Sequence, residues 1–459
     1  MTDVTSTPLG AGLKPYSEYK DSGLPWLGRV PGHWQTAPGF AAFRKKQIKN
    51  IGLKEKRVLS LSYGRIVVKP EGLRGLMPDS FETYQIVEPG DIIIRSTDLQ
   101  NDKTSLRIGM VRDRGIITSA YICMKITAAV LPEFGYQLLN TYDLCKVLYG
   151  MGSGLRQNLA WTDFKRMPVF LPSLEEQAAI VRFLDHALLR LDKAIRAKRK
   201  TIALLNEQKQ AIIHRAVTRG LDPDVKLKDS GIPWLGQIPA HWEICRVKDQ
   251  FLCLNPRRIP LSSVDRGAMT SHQYDYYGAS GVIDKVEDFL FDDELLLIAE
   301  DGANLVLRNL PLAIIARGKF WVNNHAHILK PKGCNLEYMA GYMETLNYQP
   351  WISGAAQPKL TKDRLMAIAI AVAPATEQSA IVQHYTEQTQ PLISTIKTTV
   401  REIELLREYR TRLIADVVTG KLDVRDAAAR LPQVEDAPAD EIELADIEGA
   451  GEEMVEEDA

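Results

Sequence analysis

Cysteine is scarce in this chain of 459 residues: Cys123, Cys145, Cys245, Cys253 and Cys334 are the five present, and no two form a CxxC pair. An odd, scattered set argues against a disulfide framework or a zinc module and for a reducing, cytoplasmic setting. Long apolar runs are also missing. None approaches the roughly 20 residues that span a bilayer, so no membrane partner is expected. Met1 to Leu13 lacks the basic stretch and apolar core of a secretory signal.

Basic residues are absent from Val434 to Ala459, which carries twelve acidic ones. The formal charge of −1 therefore hides a body of +11. Such a body suits a polyanionic partner. The tail, acidic and poor in aromatics, is expected to be disordered.

What the chain does have is a repeat, the first thing to seek in a sequence of several domains. Lys20-Asp21-Ser22-Gly23-Leu24-Pro25-Trp26-Leu27-Gly28-Arg29-Val30-Pro31-Gly32-His33-Trp34 recurs from Lys228 to Trp242 with eleven of fifteen positions identical, at an offset of 208. A second block, Glu176-Gln177-Ala178-Ala179-Ile180-Val181, recurs at Glu377 to Val382 at an offset of 201 and continues to Thr218 and Thr419. Dissimilar stretches, about 35–172 and 243–373, lie between the blocks. The layout is that of one scaffold presenting two different surfaces. Trp26, Trp34, Trp234 and Trp242 are read as packing anchors.

The second block has no Pro or Gly from Glu175 to Thr218, and Ser173 with Glu176 has capping-box spacing. Its seam of alternating three-and-four spacing runs through Ile180, Leu184, Leu191, Ile195, Ile202, Leu205 and Ile212, broken at Lys198 and Lys209. The other copy has Ile381, Leu392, Ile396, Ile403, Leu406 and Leu413, broken at Thr399 and Arg410. This predicts an antiparallel coiled-coil pair acting as a spacer. Pro391, which has no amide hydrogen, predicts a break between a short helix near 377–388 and a long one from about 392 to 418.

The variable stretches read as short strands and turns closed by helices near 135–149 and 336–347. The expected fold class is α+β: two recognition domains with mixed sheets, joined by the helix pair, with an internal pseudo-twofold. The expected boundaries are 16–172, 173–222, 223–373, 374–430 and an acidic tail at 431–459. Basic, amide and aromatic residues gather in the turns of both domains. The first has Lys54, Lys56, Tyr63, Arg65, Lys69, Arg74, Arg95, Lys103 and Arg107. The second has Arg257, Arg258, Tyr274, Tyr276, Tyr277, Lys285, Arg308, Asn323, Asn324 and His325. Arg and Lys suit phosphate and guanine, and Asn suits adenine.

No catalytic constellation emerges. Gly150-Met151-Gly152-Ser153-Gly154 follows a helical pattern rather than a strand, so it is read as a loop and not a nucleotide site. An Asn/Asp-Pro-Pro-Tyr motif is absent, and Pro78-Asp79 has no Glu-x-Lys after it. His325 and His327 lack a matching ligand set, so no metal is expected.

The order of these parts resembles the specificity subunit of type I restriction-modification systems. The resemblance rests on Leu171-Pro172-Ser173-Leu174-Glu175-Glu176-Gln177, Gly354-Ala355-Ala356-Gln357-Pro358-Lys359-Leu360 and Val418-Thr419-Gly420-Lys421-Leu422, and covers roughly 16–430. Gly154-Leu155-Arg156-Gln157-Asn158-Leu159 is a variant of the second motif. It implies two target recognition domains, each reading half of a split duplex DNA site, and helices that set the gap and dock two modification subunits. Those subunits would bind S-adenosylmethionine, and restriction subunits would add ATP- and Mg-dependent cleavage. No catalysis is implied in this chain. The competing expectation is a coiled-coil protein-interaction scaffold without DNA readout.

Overall fold

A computed structural model describes residues 13–432 apart from 63, 70–79, 98, 100–105, 152–157 and 355–356. Tyr63, Arg74 and Lys103, most of the Gly150–Gly154 stretch and the acidic tail lie outside the described residues. The described residues divide into two compact units, one running up to Ala197 and resuming at Glu402, the other Lys198–Arg401. Both divisions fall within long helices, so each helix serves both units.

Unit 1 is built on four strands, β1 (Phe43–Lys46), β2 (Ile92–Ile94), β3 (Ile108–Met110) and β4 (Ile122–Ile126), in the order β1-β4-β2-β3. Every pairing in that sheet is antiparallel. Among the described residues, parallel pairing in this unit is confined to the bridge of Val58 with Ile116. The uninterrupted Ile92-Ile93-Ile94 run arises because β2 is covered on both faces. Ile92 and Ile94 join a core with Phe134 and Leu138 of helix α1 (Pro132–Leu144), while Ile93 joins Leu59 and Val87 on the other face. Helix α1 opens on a proline, whose fixed φ suits the first helical position. Helix α2 (Leu174–Arg219) begins in this unit, and Ile180 and Leu184 enter its core.

Unit 2 has six strands, β5 (Phe251–Cys253), β6 (Tyr274–Gly278), β7 (Gly281–Val286), β8 (Phe291–Ala299), β9 (Ala313–Val322) and β10 (Ala326–Pro331), ordered β5-β10-β8-β9-β6-β7. β6 and β9 are parallel and the other pairings antiparallel, so this sheet is mixed. Strand β9 runs unbroken from Ala313 to Val322. Strand β8 repeats the logic of β2: Leu296 and Ile298 face one core, Leu295 and Leu297 the other. Helix α3 (Leu336–Thr345) covers the first of these cores and is capped by Asn335, whose side chain accepts from the Tyr338 amide.

Helix α4 (Ala375–Val418) is continuous through Pro391, which corrects the predicted break. Proline deprives the carbonyl four residues earlier of its donor. That carbonyl belongs to Glu387, an exposed position where water can serve it. Within unit 1 the end of α4 (Leu413, Val417) shares a core with the start of α2. Within unit 2 its start (Ile381) shares a core with the end of α2 (Ala216, Val217). The seam residues Ile180, Leu184, Leu191, Ile195, Ile381, Ile403 and Leu413 are buried, whereas Ile202, Leu205, Ile212, Leu392, Ile396 and Leu406 are partly exposed. The polar break at Arg410 carries an ion pair with Asp192 at 3.2 Å.

The repeated blocks form one joint, built twice. In unit 1 the Pro-Trp block is a hairpin pairing Tyr19 with Pro31 and Asp21 with Arg29; in unit 2 it pairs Leu227 with Pro239 and Asp229 with Gln237. Gly23 and Gly231 take φ of 71° and 69°, a left-handed turn favouring glycine, and their amides donate to the Asp21 and Asp229 carboxylates at 2.8 and 2.9 Å. Trp34 and Trp242 are fully buried. Glu176 accepts from Trp34 Nε1 at 3.0 Å and Tyr16 Oη at 2.7 Å and lies 2.8 Å from His33 Nε2. Glu377 accepts from Trp242 Nε1 at 3.1 Å and lies 2.9 Å from His241 Nε2. The next residue holds the start of a helix, α1 in unit 1 and α3 in unit 2: Gln177 Oε1 accepts from the Leu131 amide, and Gln378 Oε1 from the Asn335 amide. The anticipated capping box is therefore half made. The Glu176 amide reaches Ser173 Oγ at 3.2 Å, but its carboxylate holds the tryptophan.

Candidate nucleic-acid interface

The repeated joints leave one cluster of loops in each unit to the divergent sequence. In unit 2 it gathers where β8 ends. The Leu360 amide donates to the Glu300 carbonyl at 2.8 Å, and the Gly302 amide to Pro358 at 3.1 Å, so the Gln357–Leu360 segment is zipped to the strand end. Glu300 is buried and pairs with Arg258 and, at 3.4 Å, with Lys359. Arg258 also donates to the carbonyls of Asn324 and Ala326, both at 3.0 Å, which fixes the 323–325 turn. His325 Nδ1 lies 2.8 Å from Asp301 Oδ1. Asn304 reaches Ser280 in the β6–β7 turn at 3.4 Å. Beneath the cluster His327 is buried. Its Nε2 donates to the Leu360 carbonyl at 2.7 Å, and its Nδ1 accepts from Asn255 at 2.8 Å. Burial holds this imidazole below its ordinary range, keeping it neutral.

Unit 1 builds the same junction from different residues. The Leu159 amide donates to the Ser96 carbonyl at 2.8 Å, just beyond β2, as Leu360 does to Glu300 beyond β8. Here a buried arginine organises the backbone: Arg107 Nη1 donates to Thr97 at 2.7 Å and Nε to Tyr149 Oη at 3.1 Å. The backbone contact is shared between the units, and the side chains around it differ.

The candidates taken from the sequence separate into three groups. Lys54, Lys56, Arg65 and Lys69 in unit 1, and Arg257, Lys285 and Asn324 in unit 2, are exposed, as side chains that meet phosphate or base edges must be. Arg95, Arg258, Tyr274, Tyr277 and His325 are partly buried. The third group corrects the expectation. Arg107, Tyr276 and Asn323 are buried, at 0%, 1% and 6% exposure. Tyr276 Oη accepts from the Leu261 amide at 3.1 Å beneath Arg266, and Asn323 Oδ1 accepts from the His325 amide at 2.8 Å. Arg308 is exposed, but its guanidinium donates to the Leu346 and Glu344 carbonyls at the end of α3. These four position loops rather than present themselves to a ligand. Sequence reasoning missed Ser280, Glu300, Asp301, Asn304 and Lys359. The signals for them were the Asp301-Gly302 turn after an apolar strand and the Gln357–Leu360 signature itself.

Among the described residues no group of three or more His, Cys, Asp or Glu could hold a metal ion. No helix of the described residues is long and apolar enough to cross a membrane.

The family described as the type I restriction modification DNA specificity domain matches residues 239–405. That match lies within the second half of the chain. A putative type I restriction enzyme specificity subunit from Haemophilus influenzae is 36% identical over 132 residues, 28% of this chain and 33% of that protein. The chain thus matches about a third of the length of this curated relative. A solved chain from work on complex assembly and conformational transition of the type I R-M system shares the fold, with a TM-score of 0.57 at 14% identity over 86% of this chain and 99% of that one. The HsdS subunit from Thermoanaerobacter tengcongensis is a more distant likeness, with a TM-score of 0.39 at 13% identity over 88% of this chain and all of that one. The specificity domain matched in the second half contains the loop cluster at Glu300, and the internal repeat extends its frame to the first half.

Proposed function

We propose that this chain is the DNA sequence-specificity subunit of a type I restriction-modification complex. It reads a bipartite, asymmetric duplex site, one half with each unit, and brings modification and restriction subunits to it. The observation that carries the proposal is the duplicated joint around unlike loop clusters, in a chain whose residues 239–405 match the specificity-domain family. Exposed lysines and arginines neutralise phosphates and set register, while the loop side chains meet base edges. The helices α2 and α4 set the gap between half-sites. Chemistry resides in partners: S-adenosylmethionine on two modification subunits, ATP and Mg on the restriction subunits. Exchanging residues 36–172 for the corresponding domain of another specificity subunit is expected to change one half-site and leave the other intact. A change in both, or duplex binding that does not weaken with salt, would favour the interaction-scaffold reading instead.

A further inference from the structure

Unit 2 displays aliphatic side chains on a loop that is stapled in place. The Leu310 amide donates to Asn304 Oδ1 at 2.9 Å, and Asn304 Nδ2 donates back to the Leu310 carbonyl at 3.0 Å, closing 304–310 on itself. Arg308 adopts a left-handed φ of 56° and anchors the loop to the end of α3 through the Glu344 and Leu346 carbonyls. The Glu344 carboxylate accepts from the Leu312 and Ala313 amides, both at 2.8 Å, and secures the exit. Leu305 is buried beneath. Val306, Leu307 and Leu310 nevertheless stand 42%, 58% and 47% exposed. A loop fixed by six polar contacts is not left apolar by laxity of structure: its aliphatic face is held out.

Two observations indicate what meets that face. First, the loop is continuous with the polar cluster, through Asn304 to Ser280 and through Gly302 to Pro358. Second, three side chains are far too few for a stable protein interface, which takes about 20–30 residues a side. Small apolar groups beside amide and imidazole groups match the major-groove edge of an A·T pair, where the thymine methyl lies next to hydrogen-bonding atoms. We propose that loop 304–310 is a base-contacting element of unit 2 and that Leu307 touches thymine methyl groups of its half-site. This rests on the DNA-specificity reading above.

The test is equilibrium binding of the full chain to its duplex site, with thymine or deoxyuridine throughout the half-site read by unit 2. Removing one buried methyl is expected to weaken wild-type binding about 4-fold. Leu307→Ala should bind both duplexes alike, while Leu307→Met, which keeps an apolar contact, should still discriminate. Because Leu307 is exposed, thermal unfolding should be unchanged in both variants. The inference is overturned if the half-site contains no thymine, if wild-type binding is indifferent to deoxyuridine, or if Leu307→Ala still discriminates. It is equally overturned if that variant loses only a modification subunit. Absence of any sequence-specific binding by the wild-type chain would instead defeat the specificity reading itself.

Discussion

Removing the carboxylate at each joint should cost unequal amounts in the two units. Glu176 is 4% exposed, and its partners Trp34 and Tyr16 are 1% and 5% exposed. Burial and the carboxylate push the Tyr16 hydroxyl up, so it stays a donor. Glu176→Ala strands two buried donors at about 1–3 kcal/mol each, about 4 kcal/mol in total, with His33 rescued by water. For a unit of this size that is roughly 8–16 °C in Tm. Glu377 is more open, its side chain 26% exposed and His241 49% exposed. Only Trp242 is stranded, so Glu377→Ala should cost about 2 kcal/mol. Glu176→Gln makes the reasoning sharper. Trp34 and Tyr16 both donate to the same oxygen, Oε1, which an amide retains. Glutamine should therefore cost less than about 1 kcal/mol. Calorimetry, with hydrogen exchange at the Ile93 and Leu296 amides to report each unit, measures all three. Equal losses for the two alanine variants, or glutamine as damaging as alanine at 176, would refute this account of the joint.

Other consequences are as specific. Lys54→Ala and Lys56→Ala should each reduce the salt slope of DNA binding by about 0.9 without altering stability, whereas Arg107→Ala, which strands the Thr97 carbonyl and the Tyr149 hydroxyl, should destabilise unit 1 by about 2–4 kcal/mol; salt titration and thermal unfolding separate the two. His327, held neutral by burial, has a folded pKa below its unfolded one. Its contribution is present above the unfolded pKa, about 6.5, and lost as pH falls through the folded value. Melting of unit 2 should weaken on acidification below that point, and His327→Gln should remove this part of the pH dependence. Inserting seven helical residues into both α2 and α4, near Ala197 and Arg401, should lengthen the half-site gap by about 10.5 Å, roughly three base pairs, with both half-site sequences kept. Mapping the modified sites of the assembled system checks this.

The duplicated frame was legible in the sequence because identical residues at matched offsets must build identical geometry. The α2 span follows from periodicity; of the four tryptophans read as packing anchors, Trp34 and Trp242 are fully buried, whereas Trp234 is 49% exposed. Less was legible wherever one residue type serves two ends. Arg107 and Arg308 look like phosphate contacts, yet one lies in the core and the other serves a helix end; only three-dimensional placement separates a guanidinium that meets solvent from one that meets carbonyls. Pro391 was misread because a single lost hydrogen bond at an exposed turn is small beside the packing of a long helix. The loop cluster at Glu300 was hidden because its members, Arg258, Asp301, His325 and Lys359, are far apart in sequence and converge through backbone contacts.

The most direct measurement is the sequence of the sites modified in a cell that carries the assembled system. Two dissimilar frames of side chains, at Ser96–Leu159 and at Glu300–Leu360, on one repeated joint predict two unlike half-sites at one fixed spacing. A single continuous site, or two identical half-sites in inverted order, would contradict it.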